Sequence, residues 1–139
     1  MPLLSNSNKY CYVTDMDVRD YELDCEKIVN NANYLHYMEH TRHRFCEEAG
    51  LSFTEMLERG IFTVVRKIEI EYLSSLRSGD RFVSCLRIER KGARFIFYQD
   101  IMRPGGEICA KGVVTIVSLC EGKLARGEEL AKAFGKYIK

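Results

Sequence analysis

Two periodicities divide the chain. In NYLHYMEHTRHRFCEEAG, residues 33–50, the positions Tyr34, Met38, Thr41, Phe45 and Ala49 recur at spacings of four, three, four and four. A helix turning about 100° per residue puts all five on one face. Asn30, Asn31 and Asn33 precede it, and each has a short side chain that can accept from the free N–H groups of a first turn. Gly50 is the natural stop, because it tolerates the left-handed conformation past the last turn. His36, His40 and His43 fall on about the opposite side, with Glu39 toward one edge. A short second helix follows, opened by the capping box Ser52-x-x-Glu55 and ended by Gly60.

The remaining pattern has a period of two. YCYVTDMDVRDY, residues 10–21, reads as a strand with Tyr12, Thr14, Met16 and Val18 on one side. The polar, Asn-rich ELDCEKIVNNAN separates it from the long helix. IFTVVRKIEIEYL sets Phe62, Val64, Ile68, Ile70 and Tyr72 on one side, with Arg66 interrupting that side. RSGD is a turn, RFVSCLRIERK a strand, Lys91-Gly92 a tight break that closes a hairpin, ARFIFYQDIM a strand, and RPGGE a turn. ICAKGVVTIVSLC is the last strand, with Gly112 as a possible bulge. The tail is weakly helical. Short turns between neighbours imply an antiparallel sheet, and the long helix must bury its apolar face against it. The expected architecture is α+β: a curved antiparallel sheet of about five strands around one long central helix. One domain is expected over residues 1–139, with 1–8 a loose lead-in.

Composition narrows the function. Of the 139 residues 46% are apolar and 29% charged, and the formal net charge is +1. That balance gives no whole-protein argument for nucleic acid or an anionic membrane, leaving only a local basic patch to make one. The longest apolar runs are far short of a membrane span. Six cysteines, Cys11, Cys25, Cys46, Cys85, Cys109 and Cys120, form no C-x-x-C pair, and with no secretory leader pattern they read as reduced thiols in a cytoplasmic protein. Cys25 has no histidine placed to make a thiolate pair.

HYMEH, residues 36–40, fits H-x-x-E-H, a zinc-protease pattern. Zinc catalysis needs a third protein ligand and an open position, and all three histidines of the chain lie in this one helix. The expectation is a polar helix stripe and no metal.

VRDYELDCEKIVNNANYLHYMEHTR carries a more specific signal through Asp24, Val29, Asn30, Asn31, Ala32, Tyr34, Tyr37, Glu39 and Arg42. It closely resembles hotdog-fold acyl-CoA thioesterases of the 4-hydroxybenzoyl-CoA thioesterase type. The downstream strand order fits the same family, so the resemblance covers nearly the whole chain. Two positions depart from it. Lys27 and Ile28 stand where the family loop usually has Gly followed by His or Val. Asn31 stands where some members carry His, so a mechanism that needs an imidazole there is closed.

The resemblance implies thioester hydrolysis. That reaction needs a carboxylate to attack the carbonyl or deprotonate water, and donors for the oxyanion. Asp24 is the candidate nucleophile or base. The backbone N–H of Asn31, at the positive end of the helix dipole, is the candidate oxyanion donor, and Glu39 is a bracing or chemical group on the helix flank. Asn30 and Tyr34 are candidate substrate contacts. Arg90, Lys91 and Arg94 around the Gly92 hairpin are candidates for the nucleotide end of coenzyme A, unless they only guard a sheet edge. Tyr34, Met38, Phe62 and Val64 are candidates for an acyl slot. The implied substrate is an acyl-CoA or acyl-carrier-protein thioester, with no resident cofactor, in a homodimer or homotetramer. Two further readings are a binding protein without turnover and a hotdog dehydratase. Dehydratases usually present a loop histidine that this chain lacks.

Overall fold

In the computed structural model the described residues are 9–138, so the expected lead-in at 1–8 lies outside them. The elements are β1 (Tyr12–Asp17), a 3-10 turn (Asp20–Glu22), α1 (Asn31–Glu48), α2 (Phe53–Glu58), β2 (Ile61–Tyr72), β3 (Arg81–Lys91), β4 (Arg94–Met102), β5 (Ile108–Cys120), the two-residue β6 (Lys123–Leu124) and α3 (Glu128–Phe134). The sheet is antiparallel with the order β1-β3-β4-β5-β2, and β6 adds to β5. The expected α+β architecture, a hotdog fold, is the one observed.

The helix begins where its cap allows. Asn30 Oδ1 accepts from Ala32 N at 3.0 Å, and the helix ends at Ala49 with Gly50 at φ 81°. Tyr34, Met38, Thr41 and Phe45 are buried as the periodicity requires, and His36, His40 and His43 are exposed. The short α2 is capped by Ser52 Oγ, which accepts from Glu55 N at 3.2 Å.

Register explains two departures from the sequence pattern. The first is in β2. Pairing runs from Val65↔Ile116 directly to Lys67↔Thr115, so Arg66 is an extra residue in a bulge. A bulge shifts the alternation by one. Ile68, Ile70 and Tyr72 therefore share the helix-facing side with Ile61, Thr63 and Val65, while Phe62 and Val64 pair with Leu119 and Val117 on the other face. The single face from Phe62 to Tyr72 does not exist.

The second departure is Gly112. It pairs regularly with both Ile70 and Gln99 and is not a bulge. A Cβ there would stand 2.6 Å from Met38 Sδ, so glycine is what lets α1 seat on the sheet. ICAKGVVTIVSLC is β5, an interior strand between β4 and β2, and its scarcity of charge reflects that place. The long free edge is β2, where Phe62, Val64, Val65, Ile68 and Tyr72 stay exposed.

Candidate active site

Asp24 sits in a tight loop closed by its own backbone. Asp24 N donates to Ile28 O at 2.8 Å and Lys27 N to Asp24 O at 3.1 Å. Lys27 takes φ 67°, a left-handed conformation that favours glycine. The residue that departs from the family pattern thus keeps the backbone geometry a glycine would give. The loop is stapled to the fold by the bridges Leu23↔Val29 and Ile28↔Arg77. Asp24 Oδ1 accepts from Glu26 N at 2.8 Å, and no hydrogen bond among the described residues uses Oδ2.

The start of α1 lies beside this loop and is bound to it through Glu22. The Glu22 carbonyl accepts from Asn30 N at 2.9 Å and from Asn33 Nδ2 at 2.8 Å. Its buried carboxylate accepts from Tyr37 Oη and from Arg19 N, both at 2.8 Å. These bonds occupy the donors of Asn30 and Asn33, and the cap occupies Ala32 N. The Asn31 N–H is left without a partner among the described residues. It points from the first turn at the positive end of the helix.

A cleft of about 260 Å³ joins the pieces, lined by Asp24, Asn31, Tyr34, Tyr72, Ser74 and Ser75 among others. Tyr72 Oη donates to Asn31 O at 3.1 Å. Its ring meets Tyr34 edge-on, with centroids 5.5 Å apart. Tyr34 Oη accepts from Leu76 N at 3.0 Å, and burial pushes its pKa above the ordinary value. Asp24, Asn31 and Tyr34, separated in the sequence reading by role alone, thus share one wall. Asn30 stays outside the cleft lining and acts as the helix cap. Tyr72, Ser74 and Ser75 were not singled out as site residues, because only the end of a strand on the far side of Arg66 brings them here.

Glu39 is not at this cleft. It is exposed and borders a second one of about 320 Å³, between α1, α2 and β2, with Arg42, Cys46, Thr63, Phe97 and Phe134. Two turns of helix separate it from Asn31, so within one chain it does not meet Asp24. Of the acyl-slot candidates, Tyr34 lines the first cleft and Val64 the second. Met38 is sealed in the core, and Phe62 lines neither.

The three basic candidates also divide. Arg90 is held by Gly92 O at 2.9 Å, Arg126 O at 3.0 Å and Glu128 at 3.5 Å. Lys91 and Arg94 pair across the hairpin on the other face. With Arg66 from the bulge they line a shallow pocket over Val117 and Leu124, and none of the three is in an ion pair among the described residues. The pattern of alternation decides this: residues 90 and 91 of a strand point to opposite faces.

His36 Nδ1 lies 3.2 Å from Asn33 Oδ1, and no three His, Cys, Asp or Glu side chains converge on a metal position among the described residues.

A family model, that of the thioesterase-like superfamily, matches residues 18–134. The chain belongs to that superfamily. It is 40% identical over 84 residues to the acyl-acyl carrier protein thioesterase ATL3 of Arabidopsis thaliana, a match covering 60% of this chain and 44% of that relative. It is 32% identical over 108 residues to the long-chain acyl-CoA thioesterase FadM of Escherichia coli, covering 76% and 81%. Among solved structures, SAV2348 of Staphylococcus aureus, described in complex with CoA, superposes with a TM-score of 0.84 at 20% identity, covering 96% and 87%. The chain spans less than half the length of the plant relative. The matched region of the superfamily begins just before the Asp24 loop and runs through α3, so it includes every element of both clefts.

No helix among the described residues of this thioesterase-like chain is long and apolar enough to cross a membrane. No disulfide joins the cysteines among the described residues.

Proposed function

We propose that the protein hydrolyses acyl thioesters of coenzyme A or of an acyl carrier protein at the Asp24 cleft. One observation carries this: a carboxylate with an unused oxygen and a helix-start N–H with no partner line the same cleft. Asp24 takes a proton from water, or attacks directly, as the nucleophilic oxygen bonds to the thioester carbon. The carbonyl oxygen gains charge against the Asn31 N–H, whose position is fixed in advance by Glu22, Asn33 and Tyr72. As the C–S bond breaks, the thiolate takes up a proton, from the Asp24 carboxyl in the first route and from water in the second; in the second route water then cleaves the Asp24–acyl anhydride, and in both the products are a free acid and a thiol. Coenzyme A is part of the substrate, and no cofactor enters the scheme. Lys91, Arg94 and Arg66, a cationic trio without acidic partners among the described residues, suit the phosphates of the thiol arm.

The free β2 edge suits an isologous dimer, in which two copies pair edge to edge and continue the sheet. An antiparallel pairing about the middle of β2 would bring Glu39 of the second copy toward this Asp24 cleft. A larger assembly of such dimers, and a cytoplasmic setting for six cysteines outside any disulfide, are compatible with the same reading.

The test is thiol release from a panel of acyl-CoAs and acyl-carrier-protein thioesters. Wild type should turn over, and Asp24→Asn should lose nearly all activity while its unfolding curve is unchanged. Full activity in Asp24→Asn would remove Asp24 from the mechanism.

A further inference from the structure

Part of the Asp24 cleft is built by a segment outside the helices and strands. Residues 73–80 join β2 to β3, and Leu73, Ser74 and Ser75 line the cleft. The backbone of buried Leu76 holds two other pieces of the site. Leu76 N donates to Tyr34 Oη at 3.0 Å, and Leu76 O accepts from Val29 N at 2.9 Å. The next residue, Arg77, bridges to Ile28 at the end of the Asp24 loop. Tyr34 and the loop that carries Asp24 thus take their places from the same stretch of chain.

Arg103, the first residue after β4, holds that stretch in turn. Its Nη2 donates to Ser75 O at 2.6 Å, its Nη1 to Asp80 Oδ2 at 3.1 Å and its Nε to Glu107 Oε1 at 2.7 Å. Asp80 Oδ2 also accepts from Arg77 N at 2.9 Å. One guanidinium therefore spans the segment from Ser75 to Asp80. Ser75 O and Leu76 N belong to a single planar peptide. Arg103 grips its oxygen and Tyr34 its N–H, so the plane cannot turn without breaking one bond or the other. No other hydrogen bond among the described residues reaches Ser75 O. A cationic donor on the oxygen also polarises the N–H, which strengthens the bond to Tyr34. As an ion pair Arg103–Asp80 is partly exposed and adds little stability by itself. Its distinction is position: Arg103 is the one guanidinium among the described residues that bonds to a residue lining the Asp24 cleft.

We infer that Arg103 is a positioning residue for the Asp24 cleft, setting through the Ser75–Leu76 peptide where Tyr34 and the Asp24 loop stand. The inference rests on the reading that this cleft hydrolyses thioesters. Arg103 touches no reacting group, so its removal should slow the chemical step more than it weakens binding.

Thiol release and amide hydrogen exchange on the whole chain test it together. Arg103→Gln should lower kcat about tenfold or more, with KM changed by less than about twofold, at temperatures well below its own Tm. Exchange of the Leu76 and Val29 amides should quicken in the same variant. Glu107→Ala, which frees only the Nε arm, should keep the wild-type kcat. Tyr34→Phe removes the acceptor at the other end of the peptide, so the double variant Arg103→Gln with Tyr34→Phe should lose less than the product of the two single losses. A wild-type kcat in Arg103→Gln, an equal loss in Glu107→Ala, or losses that simply multiply would each overturn the inference. Should Arg103→Gln not fold, Arg103→Lys keeps the charge beside Asp80 without the fork that also reaches Ser75 O, and a wild-type kcat there overturns it as well. Exchange is read without substrate. A chain that releases no thiol therefore sinks the thioesterase reading, whereas unaltered Leu76 and Val29 exchange in Arg103→Gln sinks the role of Arg103.

Discussion

Tyr37 Oη donates to Glu22 Oε1 at 2.8 Å, across fifteen residues of chain, and both groups are buried. This bond ties the second turn of α1 to the segment that leads into Asp24. The Glu22 backbone carbonyl ties the first turn to the same point through Asn30 and Asn33. The relative placement of the carboxylate and the free Asn31 N–H therefore depends on one buried glutamate. Tyr37→Phe leaves that carboxylate a donor short and should cost about 1–3 kcal/mol of stability. Thiol release should fall as well, because the two halves of the site lose their common anchor. Urea unfolding and a kcat measurement on one preparation check this. A Tyr37→Phe protein with unaltered midpoint and kcat would show that the clamp does not matter.

Lys27 pays a conformational cost for its φ of 67°. Its backbone N–H closes the Asp24 loop, and its side chain is exposed and makes no ion pair among the described residues. Lys27→Gly removes the αL strain of about 1–2 kcal/mol and gives back about 0.5–1 kcal/mol in unfolded-state entropy. The expected result is a small rise in Tm with activity retained. Lys27→Val, β-branched at the same φ, should lower both, and thermal unfolding of the two variants decides the sign.

The architecture was legible because its signals are local. The helix face from Tyr34 to Phe45, the Asn30 cap, and the turns at Gly92 and Gly79 each depend on a few neighbouring residues, and the structure keeps them. The site was half legible. Asp24, Asn31 and Tyr34 lie within eleven residues on one loop and helix start. Tyr72 and Ser74 reach the same cleft only by long-range strand pairing, which no local pattern reports. The Arg66 bulge was visible as an interruption, but its consequence, the flip of Phe62 and Val64 away from the helix side, is a matter of register. The split of Arg90 from Lys91 and Arg94 follows from alternation once the hairpin ends are known.

Gly112 carries no chemistry, yet it governs how closely α1 approaches the sheet. With Met38 Sδ 2.6 Å from the place of a Cβ, Gly112→Ala forces a fully buried side chain to move. Overpacking of this kind should cost about 1–3 kcal/mol. Met38→Ala in the same chain should recover part of the loss, because the two side chains compete for one volume. A double-mutant cycle in urea should give a coupling well outside additivity. Strict additivity would place the strain elsewhere.

The basic hairpin makes a prediction that separates recognition from folding. Arg90 is committed to Gly92, Arg126 and Glu128, whereas Lys91 and Arg94 make no ion pair among the described residues. Lys91→Glu with Arg94→Glu should raise KM for acyl-CoA severalfold with little change in Tm, and the effect should shrink as salt screens the phosphates. Arg90→Gln should do the reverse, lowering Tm while leaving KM nearly unchanged. Equal KM effects from both substitutions would mean that the two faces of the hairpin are not distinguished by the ligand.

Alkaline pH probes the core directly. Burial pushes the Cys46 and Cys85 thiols from the ordinary 9.0 up to about 12, with nearby Asp100 and Asp15 adding to the shift of Cys85. In the unfolded chain these thiols ionise near pH 9, while the folded chain keeps them protonated. Protons are thus held in the folded state and released in the unfolded one. Their stabilising contribution is full below pH 9 and is lost as pH rises toward 12. Each thiol should contribute a slope of up to about 1.4 kcal/mol per pH unit in that window. The buried tyrosines Tyr10, Tyr34 and Tyr37, whose pKa values are also raised, steepen the fall above pH 10. Urea midpoints between pH 8 and 10.5 should decline, and Cys46→Ala with Cys85→Ala should be less stable at pH 8 but show a flatter decline. An unchanged slope in the double variant would assign the alkaline loss to the tyrosines alone.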